Sequence, residues 1–183
     1  KENDPYDNLY YFAHTYFSAP FAPIGLGIYH YYVTDTQRID GRVSYKFHFV
    51  GKAKEDLALK GYAWIDSATW AIRYIQYRPN EKSNLNFINA YESKVDYKLI
   101  DDKYWMKSRE EMNSVGSLFK KKNMLSLLVQ KTDVRSNIET NIIFPDSIDN
   151  YAEEHVLLDS ARSRNTAYWD SVRLEELTPS QKR

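Results

Sequence analysis

Along most of the chain up to Pro145, apolar and polar residues alternate one by one, the period of a strand with one wet and one buried face. The clearest run is Arg42 to Phe49, where Val43, Tyr45, Phe47 and Phe49 alternate with Arg42, Ser44, Lys46 and His48. A second run, Lys60 to Ile75, reads as two aromatic-rich strands folded back through Asp66-Ser67-Ala68-Thr69. Alternation puts Tyr62 and Trp64 on one face before that turn, and Trp70, Ile72 and Tyr74 on one face after it. Ile28 to Thr34 is aromatic and β-branched and predicts an earlier strand, with Asp40-Gly41 as a turn into the Arg42 strand. Pro79-Asn80 closes the second aromatic strand. Phe87 to Leu99 then predicts a long strand whose end sets Val95, Tyr97 and Leu99 against Lys94, Asp96 and Lys98. Asp101-Asp102 turns it into a strand starting near Tyr104-Trp105-Met106. Met124 to Lys131 follows, and Arg135 to Phe144 is the last strand candidate, with Ile138, Thr140, Ile142 and Phe144 on one side and Pro145 as its stop.

The two ends change period. Asp4-Pro5 has the form of an N-cap followed by proline at the first helical position, and Leu9, Phe12, Ala13, Tyr16 and Phe17 recur at helical spacing. A short amphipathic helix is therefore predicted, ending near Ser18-Ala19-Pro20. Beyond Pro145 the composition shifts to Ala, Glu, Leu and Arg, so Ile148 to Arg164 and Thr166 to Leu177 predict one or two helices, with residues 178–183 as a linker. No period of the length used by solenoids or propellers recurs. The expected fold is mainly β (α+β): a long curled antiparallel β-meander or half-barrel with helices at the N- and C-terminal ends packing on it. Residues 1–147 would form the sheet module with its N-terminal helix, and residues 148–183 a helical tail and linker packing on or leaving the same domain.

Composition narrows the function more by exclusion than by assignment. The 183 residues are 43% hydrophobic, enough to bury a core without staples. Lys plus Arg and Asp plus Glu total 25 each, so no global field favours nucleic acid. Absence of Cys removes disulfides, thiolate nucleophiles and Cys-based zinc sites. The longest apolar run, Met124 to Val129, is far below the roughly 20 residues of a membrane helix, so no transmembrane helix is expected. The start at Lys1 suggests a processed protein or an excised domain.

Catalytic chemistry finds no constellation. His14, His30, His48 and His155 form no pair at metal-ligand spacing, and the six glycines build neither a nucleophile elbow nor a phosphate loop. Carboxylate pairs occur at Glu55-Asp56, Asp101-Asp102, Glu110-Glu111, Glu153-Glu154 and Glu175-Glu176. Adjacent strand residues point to opposite faces, so Glu110 and Glu111 cannot jointly flank a glycosidic bond. Lys120-Lys121-Lys122 beside Phe119 is a small basic knot, short of the cluster that anchors a protein to lipid headgroups. Neither catalytic residue, metal nor cofactor is assigned.

The load of 16 Tyr, 8 Phe and 4 Trp exceeds what burying one sheet face needs, and such rings also line grooves for apolar or sugar ligands. Trp64 and Trp70 are the candidates to line or gate a groove, with Tyr62, Ile72 and Tyr74 beside them.

The series Tyr29 to Thr36, Arg42 to Phe49, and Gly61-Tyr-Ala-Trp-Ile-Asp66 with Trp70-Ala-Ile72 resembles a family of uncharacterised Bacteroidota cell-envelope proteins. Asn86-Phe-Ile88, Tyr104-Trp105, Tyr168-Trp169-Asp170 and Arg173 to Thr178 continue the resemblance. In that family a domain of unknown function lies between a carboxypeptidase-regulatory-like domain and an outer-membrane β-barrel. The Gly-x-x-x-Ile-Asp hairpin is also similar to lipoprotein-carrier (LolA/LolB-like) folds, whose curved sheet holds acyl chains. The resemblance implies a periplasmic or outer-membrane-associated module with an outer-membrane barrel as partner in the full-length protein, and it carries over no catalytic residue. Two functions stand open: a non-enzymatic module binding a lipid or other amphipathic small molecule in the concave face of the curled sheet, or a structural and interaction module that positions the barrel or recruits an envelope partner without ligand.

Overall fold

A computed structural model describes residues 3–12, 14–53, 57–80, 82–83, 85, 88–117, 126–143 and 163–177. The chain divides into two compact units, Lys1–Arg135 and Ser136–Arg183. The first holds a short hairpin, β1 (Leu9–Phe12) with β2 (Thr15–Ser18), a single helical turn α1 (Gly25–Ile28), and a seven-stranded sheet. The sheet strands are β3 (Tyr29–Ile39), β4 (Arg42–Gly51), β5 (Leu59–Asp66), β6 (Ile72–Pro79), β7 (Ile88–Ile100), β8 (Tyr104–Ser117) and β9 (Ser126–Val134).

Each strand pairs antiparallel with its neighbour in the chain, in the order β3-β4-β5-β6-β7-β8-β9, so the sheet is an open meander. Turn chemistry explains the regularity. Asp40 and Gly41 both adopt positive φ, 48° and 76°, which matches a two-residue turn to the twist of β3 and β4. Asp101 and Asp102 sit at φ 51° between β7 and β8, a conformation short polar side chains tolerate. Gly61 answers a different demand: a Cβ there would stand 1.9 Å from the Gln76 carbonyl oxygen, so only glycine lets β5 and β6 approach.

The core lies on one face of this sheet. Phe49, Ile75, Tyr77, Tyr91 and Val95 are buried there, and the β1–β2 hairpin covers them with Tyr10, Phe12 and Phe17. Phe12 stacks on Phe17 at 4.3 Å and on Tyr91 at 4.2 Å, while Tyr10 meets Tyr77 at 5.1 Å. Two tyrosine hydroxyls are satisfied where the N-terminal segment joins the sheet. The Tyr29 hydroxyl donates to the Ser18 carbonyl and accepts from the Leu59 N–H at 2.8 Å, and the Tyr6 hydroxyl accepts from Ile72 N–H at 3.0 Å.

The predicted N-terminal helix is therefore replaced by a hairpin. Asp4 does cap a turn, accepting from Tyr6 N–H at 2.9 Å, but the chain then alternates, with Tyr10 and Phe12 buried and Leu9 and Tyr11 exposed. Burial of those rings against β6 and β7 outweighs a helical pattern only a few turns long. The predicted strand at Arg135 to Phe144 is also corrected: strand pairing on β8 ends at Val134, and residues 135–143 form no strand. In the second unit, α2 (Thr166–Val172) falls within the predicted helix Thr166 to Leu177, and the Asn165 side chain caps it by accepting from Tyr168 N–H at 2.9 Å. The predicted helix through residues 148–162, the Lys120–Lys122 knot, Phe144-Pro145 and the 178–183 tail lie outside the described residues.

Candidate functional site

Two clusters of polar and aromatic side chains stand out in the first unit. One knots the turns at one end of the sheet. Asp66, whose side chain is fully buried, accepts from Arg42 Nε at 2.8 Å and Nη2 at 2.9 Å, and from the turn through Ala68 N–H, Thr69 N–H and the Thr69 hydroxyl. The Arg42 guanidinium, with help from Thr69 and against the cost of burial, holds the Asp66 carboxyl well below the usual carboxylate range. Beside it, buried Arg73 donates to the Ile39 carbonyl, the Ser44 hydroxyl and Asp40, and its guanidinium lies 5.3 Å from the Trp105 ring centroid. Trp105 Nε1 in turn donates to Thr69 Oγ1 at 3.0 Å. These bonds tie three hairpin turns together, so the cluster is accounted for by architecture.

The second cluster lines a cleft of about 470 Å³ on the sheet face opposite the β1–β2 hairpin. Register builds it. His48, Tyr62 and Gln76 are direct cross-strand partners on β4, β5 and β6, Tyr32 pairs with His48 from β3, and Val50, Lys60 and Arg78 form the adjacent row. The rings run as a ladder: His48 to Tyr62 at 5.5 Å, Tyr62 to Tyr74 at 5.6 Å, with Lys46 Nζ 4.2 Å from the Tyr62 centroid. Polar order is imposed by the Gln76 amide, which accepts from the Tyr74 hydroxyl at 3.1 Å and donates to Glu92 at 2.7 Å. Desolvation and the neighbouring Lys46 ammonium lower the His48 pKa, so its imidazole is neutral at pH 7. Burial, with Tyr62 beside it, pushes the Tyr74 hydroxyl well up, and it stays a donor. The cleft thus offers flat aromatic faces, methylene walls and a fixed amide, an arrangement fitted to hold a molecule.

Residues 2–133 match the family described as a family of unknown function, DUF5686. The chain belongs to DUF5686. That match meets the expectation of an uncharacterised domain, and among the described residues it runs from β1 to all but the last residue of β9. No curated protein and no solved structure matches the chain.

Within this DUF5686 chain the residues singled out from sequence separate. Tyr62 lines the cleft, and Trp64 and Tyr74 are cross-strand partners one row along the same face. Ile72 is buried in the core with Ile65 instead. The cause is a bulge: Trp64 pairs with Tyr74 but Ile65 pairs with Ile72, so Arg73 is an extra residue and the alternation from Ile72 to Tyr74 breaks. Trp70 precedes β6, sits in the turn at φ 57°, is 63% exposed, and has its ring 6.1 Å from Tyr45.

Sequence reasoning missed Tyr32, His48, Lys60, Gln76, Arg78 and Glu92 as lining residues. The signal was present for His48, which sits on the wet side of the cleanest alternation, but only the register shows that it stands beside Tyr62. Glu110 and Glu111 point apart as alternation requires, Glu110 bonding Lys107 at 3.2 Å and Glu111 bonding Arg109 at 2.6 Å. Among the described residues no cluster of three or more His, Cys, Asp or Glu stands ready to hold a metal ion, and no helix is long and apolar enough to cross a membrane.

Proposed function

We propose that this DUF5686 chain is a non-enzymatic module of the cell envelope that binds a lipid or another amphipathic ligand, seated in the Tyr62 cleft. The cleft itself carries the reading: about 470 Å³, with an aromatic ladder on one side and the Gln76–Glu92 pair and two cations on the other. That volume falls within the roughly 300 to 1,000 Å³ of small-molecule sites. The ligand is assigned to this face because the rings of Tyr10, Phe12 and Phe17 already occupy the other. Glu92, a carboxylate of the cleft, is engaged by Gln76 and stands 3.8 Å from Lys94, which supports binding over acid–base chemistry. A periplasmic or outer-membrane-associated setting, beside a barrel and with carrier-like use of the sheet, rests on the order of sequence motifs alone.

Displacement of a fluorescent fatty acid, with native mass spectrometry after gentle extraction, tests the reading. Saturable displacement that Tyr62→Ala weakens is the expected result; neither bound lipid nor saturable displacement would sink it.

A second reading, an interaction module without ligand, is favoured by β9. This edge strand exposes Leu127, Leu128 and Val129 at 64%, 58% and 41%, the kind of apolar edge that partners cover. Loss of outer-membrane association in a Leu127→Glu/Leu128→Glu variant whose displacement curve is unchanged would support it.

A further inference from the structure

The two edges of the sheet are built differently. At one edge, β3 carries devices that keep a sheet from pairing further: a bulge between Val33 and Asp35 interrupts its register, and Asp35 and Arg38 put charge on it. Asp35 also takes up a backbone donor, accepting from Thr36 N–H at 2.8 Å, and it holds the Gln37 amide at 2.8 Å. At the other edge, the first half of β9 has none of these. The strand runs in unbroken register on β8, from Ser126 opposite Ser117 to Val134 opposite Arg109, without glycine or proline, and Ser126 to Gln130 carries no charge. Among the described residues no strand pairs with its outer side. Leu127 and Val129 point to one face and Leu128 to the other, and all three are exposed. A body docked on one face would cover only part of that set. A strand added at the edge pairs the outward backbone groups and flanks the side chains of both faces.

Resting on the reading of β9 as an interaction edge, we infer that the strand it receives is β9 of a second copy of this chain, antiparallel, with Leu128 on the two-fold axis. That register sets Leu128 opposite Leu128, Leu127 opposite Val129 and Ser126 opposite Gln130, apolar against apolar and polar against polar. Lys131 and Asp133 fall outside this overlap of Ser126 to Gln130. Centring on Gln130 would instead oppose Leu127 to Asp133 and Val129 to Lys131, and centring on Lys131 would oppose two like charges. The blunted β3 edge bars stacking of β9 on β3 of the next copy, so self-pairing closes at two copies, in one continuous sheet. A single strand pair is a small contact, and the dimer belongs to the weak, concentration-dependent class.

Sedimentation velocity of the purified full chain, from low to high micromolar concentration, should show a monomer–dimer equilibrium. Leu128→Glu sets two carboxylates opposite each other on the axis and should weaken dimerisation at least about tenfold, while Val33→Glu on β3 leaves it unchanged. Circular dichroism should show both variants folded, since each side chain is more than half exposed. Leu128→Cys supplies a second readout. The chain has no cysteine of its own, and residues directly opposite in an antiparallel pair have Cα atoms about 4.5 to 5.5 Å apart, within the reach of a disulfide. Mild oxidation should link Leu128→Cys into a covalent dimer at least about tenfold faster than Val33→Cys, because association holds the two thiols at high effective concentration. A chain monomeric throughout, or a dimer that Leu128→Glu leaves unmoved, overturns the second copy as occupant. If Leu127→Glu/Leu128→Glu still loses outer-membrane association in that case, the interaction edge stands and its occupant is a strand of another protein. If association persists as well, the edge reading falls with the inference.

Discussion

Asp66 carries more of the fold than its place in a turn suggests. Its carboxylate collects the Arg42 guanidinium, two turn N–H groups and a hydroxyl in a site from which water is excluded, and its backbone N–H and carbonyl bond Ala71 and Trp70. Asp66→Ala leaves those donors without an acceptor and should cost at least about 2 kcal/mol, read as a lower urea midpoint. The acid response follows from the same bonds. A free carboxyl titrates near about 4, whereas the folded one resists protonation, so its contribution is complete above that pH and drains away as pH falls below it. Between roughly pH 4 and 2 the urea midpoint of the native chain should therefore fall more steeply than that of Asp66→Asn; parallel curves would show that Asp66 does not govern acid unfolding. Trp70, four residues on, pulls the other way. It holds a left-handed φ of 57° that a bulky side chain adopts at a cost of about 1 kcal/mol, and its ring is largely exposed. Trp70→Asn should leave the melting temperature unchanged or raise it, and a clear drop would mean that the contact with Tyr45 matters more than the strain.

Pairing of elements depends on two fits, one between neighbouring strands and one between hairpin and sheet. Gly61→Ala drives a Cβ into the Gln76 carbonyl, a backbone atom with nowhere to go. Amide exchange across β5 and β6 should quicken while the β7–β8 ladder keeps its protection, and unchanged exchange at both would contradict the close approach. Phe17 is fully buried between strand layers, and Phe17→Ala should cost about 3 to 5 kcal/mol through lost burial and the cavity left behind. That hairpin also marks where the sequence stopped being readable. Leu9, Phe12, Tyr16 and Phe17 satisfy a helical period, and Tyr10 and Phe12 satisfy a strand period just as well. What decides is the stacking of Phe12 on Tyr91 and of Tyr10 near Tyr77, contacts with residues far along the chain that no local window contains. The seven-stranded meander was legible for the converse reason: every pairing in it is between chain neighbours, and turn residues at Asp40-Gly41 and Asp101-Asp102 announce two of the reversals. Ile72 was misplaced because a bulge adds one residue, and nothing in an alternating string distinguishes Arg73 as the extra one. The cleft suffered from the same blindness to register. Tyr62, Trp64 and Tyr74 were named from their rings, but His48, Gln76 and Arg78 become neighbours only once β4, β5 and β6 are aligned.

The whole chain joins two units, and the family match, residues 2–133, coincides with the first of them to within a few positions. That unit has its own core, from Tyr10 and Phe17 in the hairpin to Val95 in the sheet, and it contains every described lining residue of the Tyr62 cleft. A seven-stranded sheet with one face covered by its own hairpin satisfies the requirement for independent folding, which an isolated pair of strands does not. A fragment of residues 1–135 should consequently unfold in one cooperative thermal transition with a strand-type far-ultraviolet spectrum. It should also displace the fluorescent fatty acid with the affinity of the full chain. A fragment that melts without a cooperative transition would mean that residues 136–183 supply part of the stability of the sheet. A fragment that folds cooperatively but loses displacement would place part of the ligand site in those residues, and would move the search for the apolar end of the ligand away from Tyr62.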